Sequence, residues 1–500
     1  MTQSAVSAGR GVLYIAIAKL YFMVAGYAIY FTLPRLLPDA AAWGDYLLVI
    51  GLVSVIDNVI VTGTIQGVSK FTAQGDVGAD AIKRAGLIVQ LLLGGGIAGA
   101  FFLLAPVVAD WENDASLAGL YRIAAGIILS YSLYSVFVGS VNGLRHFGKQ
   151  ASLDMGFATI RAGAILGGAA LGFGVAGAVT GFTGAAFTIF VVAAIWVRLP
   201  RGEERFALGR LFDFMIRLFV YTLTLNATMR ADLLLLKRNA VALVSETGDA
   251  ARRRATSTLA GYYGTAQSLA FIPYQAILAV AFVIFPLVSR ATFDADLAKT
   301  QAYIRQTLRL SLIFVAAVAS VFIANPAAVI AVPYPAAYVV GAPALRILAA
   351  GMVFFSMFTI INTILNGAGR TLETIISGGV TLTASVTGNA LFVPRAASAL
   401  SALERAAWAS SLAMALGCVL AAILLFRRFR AAFPPLTVLR TVLVTVALAF
   451  LGHFLPVGSK LLTIVESVGI FVAFFVFLAI LGEFRRDDIA AIVGSLRRGS

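Results

Sequence analysis

The stretch IAIAKLYFMVAGY, residues 15–27, lies within an apolar run that extends from Gly11 to Leu33. A run of this length can cross a bilayer as an α-helix, which needs about 20 residues. Lys19 lies roughly 12 Å into the run at 1.5 Å per residue. A charge at that depth is costly unless it meets water or a partner. We therefore expect a spanning helix whose lysine either faces a hydrated cavity or reaches toward the cytoplasmic surface along its stem.

Composition extends this reading to the whole chain. The 500 residues are 60% hydrophobic and 12% charged, with a mean hydropathy of +0.94, whereas soluble proteins carry about 25% charged residues. The apolar segments are continuous and do not alternate, so they predict helices and not barrel strands. The net charge of +15 lies in short clusters between these segments, which favours a membrane protein with no nucleic-acid partner. One cysteine and two histidines exclude an internal disulfide and a His-rich metal site.

The pattern predicts an all-α polytopic protein with about fourteen transmembrane helices. Lys and Arg are roughly twice as frequent in one set of connecting segments as in the other, which places both termini in the cytoplasm. Residues 237–259 are an exception, because they put five basic residues outside, and we interpret them as an insertion. The predicted spans are 11–33, 46–68, 85–109, 119–142, 152–173, 176–197, 212–236, 259–286, 308–332, 343–366, 372–393, 404–426, 438–456 and 461–482.

Two short motifs recur at nearly the same spacing. The GDY of residues 44–46 matches the GYY of residues 261–263 at an offset of 217. Asn-Gly pairs at 142–143 and 366–367, offset by 224, each close the fourth helix of a predicted group of six. The repetition predicts a duplication, with helices 1–6 and 7–12 as two lobes related by an axis along the membrane normal and a substrate site between them.

With these motifs the chain resembles the polysaccharide exporter branch of the MOP transporter superfamily, which is related to lipid II flippases and MATE exporters. The resemblance rests on residues 44–71, on 261–263, on the two Asn-Gly turns and on the tail at 481–496. It implies a V-shaped, MOP-type arrangement of two six-helix lobes and an extra helix pair, which in lipid II flippases forms a groove for the lipid tail. The expected domains are the N-lobe at 1–200, the C-lobe at 201–430, the helix pair at 431–484 and a cytoplasmic amphipathic tail at 485–500.

The same resemblance implies a function in surface polysaccharide biosynthesis. The chain would flip undecaprenyl-pyrophosphate-linked oligosaccharide across the bacterial inner membrane by alternating access, for lipopolysaccharide or exopolysaccharide, beside a polymerase and glycosyltransferases. A lipid II flippase and an ion-coupled, MATE-like exporter of amphiphiles are the alternatives. A membrane glycan polymerase is a remote one, because the long outside segment 237–259 has no His and only Glu246 and Asp249 as a spaced acidic pair. We expect no enzyme activity and no cofactor, and coupling to a proton or sodium gradient is left open.

Charged residues inside the spans are the first candidates for substrate contacts. A pyrophosphate needs cations that replace its water, and Lys19 and Arg161 fit that role. Arg161 could instead pair with Asp154, which lies seven residues earlier on the same helix face. Arg230 either contacts substrate or marks the outer interface beside an aspartate. Asp57 is a charge partner of Lys19 or an ion-coupling group.

Polar stripes on four predicted helices supply candidate contacts for sugars. Hydroxyls and amides recur there at helical spacing, although such residues also serve helix packing. The members assigned to substrate binding are Asn226, Tyr263, Gln267, Thr363 and Asn389.

Overall fold

The computed structural model describes residues 3–293, 297–455 and 458–484. Within them the chain is all-helical, and the tail at 485–500 lies outside the described residues. The α-helices are α1 Gln3–Leu36, α2 Ala40–Gln74, α3 Ala79–Trp111, α4 Ala118–Gly143, α5 Phe147–Gly168, α6 Gly174–Val197, α7 Leu208–Thr228, α8 Ala231–Asn239, α9 Asp249–Phe293, α10 Leu297–Ala324, α11 Pro326–Ala331, α12 Ala342–Gly367, α13 Thr371–Phe392, α14 Ala399–Phe429, α15 Pro435–His453 and α16 Lys460–Ile480.

The polytopic architecture predicted from hydropathy is confirmed. In the described part of the chain, 11 helical stretches are long and apolar enough to cross a membrane. One of them, Phe147–Val197, contains both α5 and α6, separated by a break in which Gly172 and Gly174 have positive φ. The predicted spans 212–236 and 259–286 fall on α7 with α8 and on α9, which are helical but are not among those stretches.

The chain divides into two compact units. The first comprises residues 1–264 and 389–402, and the second comprises 265–388 and 403–500. In the first unit α4 packs against α2, α3 and α6, while α5 packs against α1 and α6, and α7 packs against α2. In the second unit α10 packs against α12, α15 and α16.

The two Asn-Gly pairs close corresponding helices, as the repeat predicts. Helix α4 ends at Gly143 and α12 ends at Gly367. Three residues after each asparagine the backbone has positive φ, at Arg145 (58°) and Gly369 (76°), the left-handed conformation that commonly ends helices. Each asparagine also bonds a side chain eight residues further on. The amide of Asn142 donates to Gln150 at 2.7 Å, and Thr374 donates to Asn366 at 3.0 Å.

The other repeated motif forms a close helix contact. A Cβ added to Gly44 would lie 1.9 Å from the carbonyl oxygen of Ser257, and one added to Gly261 would lie 2.1 Å from that of Ala40. Only glycine fits at both positions, so α2 and the first part of α9 meet backbone to backbone. The two matching glycines of the repeat thus form part of one contact.

Two predicted helices are interrupted. The helix expected over 212–236 breaks between Thr228 and Ala231, and the one expected over 308–332 breaks at Asn325. Pro326 explains the second break because proline cannot continue the α10 hydrogen-bond ladder, and Asn325 caps α11 by accepting from the backbone N–H of Ala328. At the first break Asp232 accepts bonds from the N–H of Leu233 and the hydroxyl of Tyr263, two donors from different helices.

A buried carboxylate joins the C-terminal helix pair to α10. Glu483, which follows α16, accepts from Arg309 of α10 at 2.8 Å, from Thr437 at 2.6 Å and from Arg440 at 2.9 Å. The last two belong to α15. Burial alone would raise the pKa of Glu483, but these donors and the arginine charges hold it below its ordinary value. The helix pair is therefore fixed to α10 at this end by charge as well as by apolar packing.

Candidate substrate-binding site

Lys19 pairs with a carboxylate of a neighbouring helix. Its Nζ lies 3.4 Å from Oδ2 of Asp154, which α5 presents where it packs against α1. The lysine side chain is 54% exposed, whereas that of Asp154 is 11% exposed. The partner is thus Asp154 and not Asp57. A half-exposed amine with one carboxylate neighbour keeps donors available for a ligand.

Arg161 of α5 occupies an aromatic pocket formed by α1, α5 and α6. Its guanidinium lies 4.4 Å from the ring centre of Phe22, 5.5 Å from that of Phe182 and 5.7 Å from that of Phe157. Among the described residues no carboxylate lies within ion-pair distance, so the alternative pair with Asp154 is not formed. Cation–π contacts fix the guanidinium plane without neutralising its charge. The arrangement leaves an oriented cation that can bind an anion.

Asp57 and its neighbour Asn58 lie on α2. Asp57 is buried, and within the described structure its Oδ1 has no hydrogen-bond partner. Asn58, which the sequence reasoning missed, donates to Oδ1 of Asn226 at 3.0 Å, while Asn226 donates to the carbonyl of Thr222 at 2.8 Å. The side-chain amides of α2 and α7 therefore meet. The polar stripe on α7 identified Asn226, but it could not show that Asn58 of α2 is its partner.

Arg230 is brought close to the same helices. Its stem packs beside Gly51 of α2, since a Cβ there would lie 3.8 Å from the arginine Cδ. Its charge acts on Tyr27 of α1, and the charge of Arg161 acts on Tyr46 of α2. Tyr27 contacts Tyr30, which is within electrostatic range of Tyr46. The packing of α1 on α5 brings Lys19 and Arg161 into one region, which we call the cationic cluster, whereas Asn226 and Arg230 lie against α2.

The other predicted site residues occupy packed positions. Tyr263 is fully buried and donates its hydroxyl to Asp232 at 2.7 Å. Gln267 and Asn389 are also buried. Thr363 donates to the carbonyl of Thr359 on its own helix at 2.8 Å. These contacts match the helix-packing alternative, and a substrate role for these four residues stays a prediction.

The basic segment 237–259, interpreted from the sequence as an insertion, is packed into the first unit. Lys237 is fully buried, and its amine donates to Asp114 at 2.7 Å, to Ser257 at 2.8 Å and to Asp45 at 3.4 Å. Burial raises the pKa of Asp114, but Lys237 and Ser116 outweigh that effect and hold it below its ordinary value.

Glu112 lies beside this lysine. It is buried and accepts the hydroxyl of Tyr121 at 2.8 Å. Burial raises its pKa to about 7, in spite of that bond and of the Lys237 charge. The basic segment therefore belongs to a buried network that contains one carboxylate whose pKa is lowered, Asp114, and one whose pKa is raised to about 7, Glu112.

An apolar groove lies in the second unit. It has a volume of about 790 Å³ and is lined by α10, α12, α14 and α15. Helix α15 of the C-terminal pair contributes Val438, Val442 and Val446, whereas no lining residue comes from α16. The charged lining residues are Arg427 and Arg430, at the C-terminal end of α14. The groove is therefore apolar along its length and positively charged at the end near Arg427 and Arg430.

Comparisons with known proteins agree with this architecture. A family described as polysaccharide biosynthesis protein matches residues 8–292. The lipid II flippase MurJ in an inward closed conformation is similar in structure, with a TM-score of 0.73 and 13% identity over 94% of this chain and 99% of that one. A multidrug resistance MATE transporter of the MOP superfamily, inward-facing, has a TM-score of 0.63 and 16% identity over 84% and 99%. No curated protein matches the chain in sequence.

Proposed function

The chain belongs to the polysaccharide biosynthesis protein family, and from its MOP-type transporter fold we propose that it carries a polyprenyl-pyrophosphate-linked oligosaccharide across the membrane. Family and fold describe a membrane transporter and not an enzyme. Two places in the molecule, the cationic cluster and the apolar groove, support this cargo by their chemistry.

The observation that carries the proposal is the cationic cluster. Arg161 is an oriented guanidinium with no carboxylate beside it in the described structure, and Lys19 lies on the helix that packs against it. Asp154 and Arg161 are seven residues apart on α5, so the two cations lie within roughly 10 Å along the helix axis. A pyrophosphate presents several anionic oxygens to which long lysine and arginine side chains can donate, and such charge-assisted hydrogen bonds are the strong ones.

The apolar groove supports the lipid part of the cargo. Its lining is almost entirely aliphatic and aromatic, which suits a polyprenyl chain. Arg427 and Arg430 would then face the phosphate end of a lipid that enters from the side predicted to be cytoplasmic.

Transport of a labelled lipid-linked glycan tests the proposal. Proteoliposomes would contain a fluorescent polyprenyl-pyrophosphate oligosaccharide, and delivery to the opposite leaflet would be read by its accessibility to a membrane-impermeant lectin. We expect Lys19→Ala and Arg161→Ala each to reduce the rate at least about tenfold, because each removes a charge-assisted contact. Arg122→Ala, which removes an exposed arginine of α4, is the matched control and should transport at the wild-type rate.

Two results would contradict this assignment. If Lys19→Ala and Arg161→Ala were both expressed normally and transported at the wild-type rate, neither residue would be needed to bind the pyrophosphate. An equal loss of transport rate in Arg122→Ala would mean that transport depends on the overall positive charge of the protein and not on these two residues.

The lipid II flippase alternative is favoured by one observation. The similarity to MurJ covers 94% of the chain, which is more than the 84% covered by the MATE transporter. Unlabelled lipid II in the same vesicles discriminates between the two cargoes. Competition by lipid II that exceeds competition by the unlabelled oligosaccharide lipid would select the alternative.

A further inference from the structure

A second cavity lies in the first unit, at the side predicted to be outside. It has a volume of about 460 Å³, with a polar lining from Asn113, Arg238, Asn239 and Arg252 and an apolar lining from Val241, Ala242, Val244 and Pro394. We call it the polar pocket. Its volume lies within the range of about 300–1,000 Å³ that is usual for small-ligand sites. None of these residues belongs to the cationic cluster or to the apolar groove.

The two pocket arginines differ from the other basic residues of segment 237–259 because they have no carboxylate partner among the described residues. Lys237 pairs with Asp114, Arg253 with the same carboxylate at 3.7 Å, and Arg254 with Asp39 at 2.5 Å. In contrast, no carboxylate of the described residues lies within ion-pair distance of the two arginines that line the pocket. The segment thus neutralises three of its five cations and leaves the other two at one cavity.

Both pocket arginines are held in place by bonds that leave their charge free. Arg238 donates to the carbonyl of Trp111 at 2.9 Å and lies 4.6 Å from the centre of the indole ring. Arg252 donates from Nε to the carbonyl of Glu246 at 3.1 Å. Asn113 donates to the carbonyl of Arg238 at 3.4 Å. A guanidinium has five N–H donors, so each arginine keeps donors for a ligand without having to be ordered first.

We propose that the polar pocket binds a sugar that carries a carboxylate, such as a uronic acid residue of the translocated glycan. Guanidinium groups match the two oxygens of a carboxylate, while the amides of Asn113 and Asn239 can bond sugar hydroxyls. The proposal rests on the proposed function only for the origin of the sugar, because binding itself can be measured without transport.

Calorimetric titration of the full chain in phosphatidylcholine nanodiscs tests the proposal. The probe is trigalacturonate, compared with its methyl ester and with a phosphorylated neutral trisaccharide. We expect trigalacturonate to bind, the ester to bind at least about tenfold more weakly and the double variant Arg238→Gln/Arg252→Gln to lose about tenfold or more in affinity, since two charged contacts are removed. Arg405→Gln, which removes an exposed arginine from the same predicted side, should bind like the wild type.

Several results would overturn the proposal. Equal affinity for acid and ester would exclude carboxylate recognition, and tighter binding of the phosphorylated sugar would identify phosphate as the ligand chemistry. Equal losses of affinity in the Arg405 control and in the double variant would mean that binding depends on the overall positive charge of this side and not on the pocket. Arg238→Lys/Arg252→Lys separates charge from geometry, and full affinity in that variant would exclude fork-shaped recognition.

The proposed ligand of the polar pocket and the proposed transport function can be tested independently. Lys19→Ala should retain trigalacturonate binding while transport is lost. The Arg238/Arg252 double variant should still flip a neutral lipid-linked glycan at the wild-type rate. Loss of pocket binding in Lys19→Ala would show that the pocket is not a separate site, and normal transport by Lys19→Ala would contradict only the proposed function.

Discussion

Glu112 predicts a pH dependence of stability with a definite sign. Its pKa is raised by burial from 4.5 to about 7 in the folded protein. The folded state therefore holds this proton more tightly than the unfolded state. The resulting stabilisation is fully present below about pH 4.5 and is lost as the pH rises through about 7. At 1.36 kcal/mol per pKa unit, the loss amounts to roughly 3 kcal/mol.

Glu112→Gln isolates this contribution. Glutamine keeps the shape of the side chain and an acceptor for Tyr121, but it cannot ionise. The free energy of unfolding would be measured by denaturant titration in detergent from about pH 5 to pH 8. We expect the wild type to fall below the variant by up to about 3 kcal/mol as the pH rises. Asp114 does not confuse the comparison, because its lowered pKa places its own loss of stability below its ordinary pKa.

Asp110→Asn serves as the matched control. Asp110 is exposed and lies two residues before Glu112, so its removal should leave the wild-type pH dependence unchanged. Curves for the wild type and Glu112→Gln that run parallel over the whole range would refute the reasoning. They would mean that Glu112 ionises equally easily in both states, and hence that its burial or its environment differs from the structure.

The remaining predictions concern the two buried charge networks. Lys237→Met should lower the free energy of unfolding by about 3–5 kcal/mol because it leaves buried carboxylates unpaired; adding Asp114→Asn should recover part of that loss, and strictly additive effects would contradict the pairing. Glu483→Gln should lower it by roughly 2 kcal/mol, since Arg309 and Arg440 lose a charged acceptor but are partly exposed. Amide hydrogen exchange would show the second effect as faster exchange in α15 and α16, and unchanged exchange there would argue against a locking role for Glu483.

Helix positions could be read from the sequence because membrane insertion acts on local composition. Every predicted span coincides mainly with helical residues, apart from the two interruptions at 229–230 and 325 and short non-helical ends. The break at Pro326 also had a local signal, since proline terminates the hydrogen-bond ladder of α10. The break at Arg230 had none. Asp232, just after this break, accepts from Tyr263 of another helix, and such contacts are decided by tertiary packing.

Site residues were less predictable because pairing depends on the register between helices. The sequence supplied Lys19 and Arg161 as candidate cations, and both lie in the cationic cluster. Helical spacing suggested that Asp154 pairs with Arg161 on the same face. The packing of α1 on α5 instead brings Lys19 to that carboxylate and places Arg161 over Phe22. Periodicity reports which residues share a face but not how far one helix is shifted along another.

The glycine repeat and the exception in the charge distribution have one physical explanation. Gly44 allows α2 to approach the backbone of Ser257, where any side chain would collide with its carbonyl oxygen. That approach brings the next residue, Asp45, within 2.6 Å of the Ser257 hydroxyl, and the same hydroxyl accepts from Lys237 at 2.8 Å. The excess of basic residues on the predicted outside is therefore partly neutralised by carboxylates from distant parts of the chain. The positive-inside rule counts cations in sequence, whereas it is the unpaired ones, at Arg238 and Arg252, that remain available to a ligand.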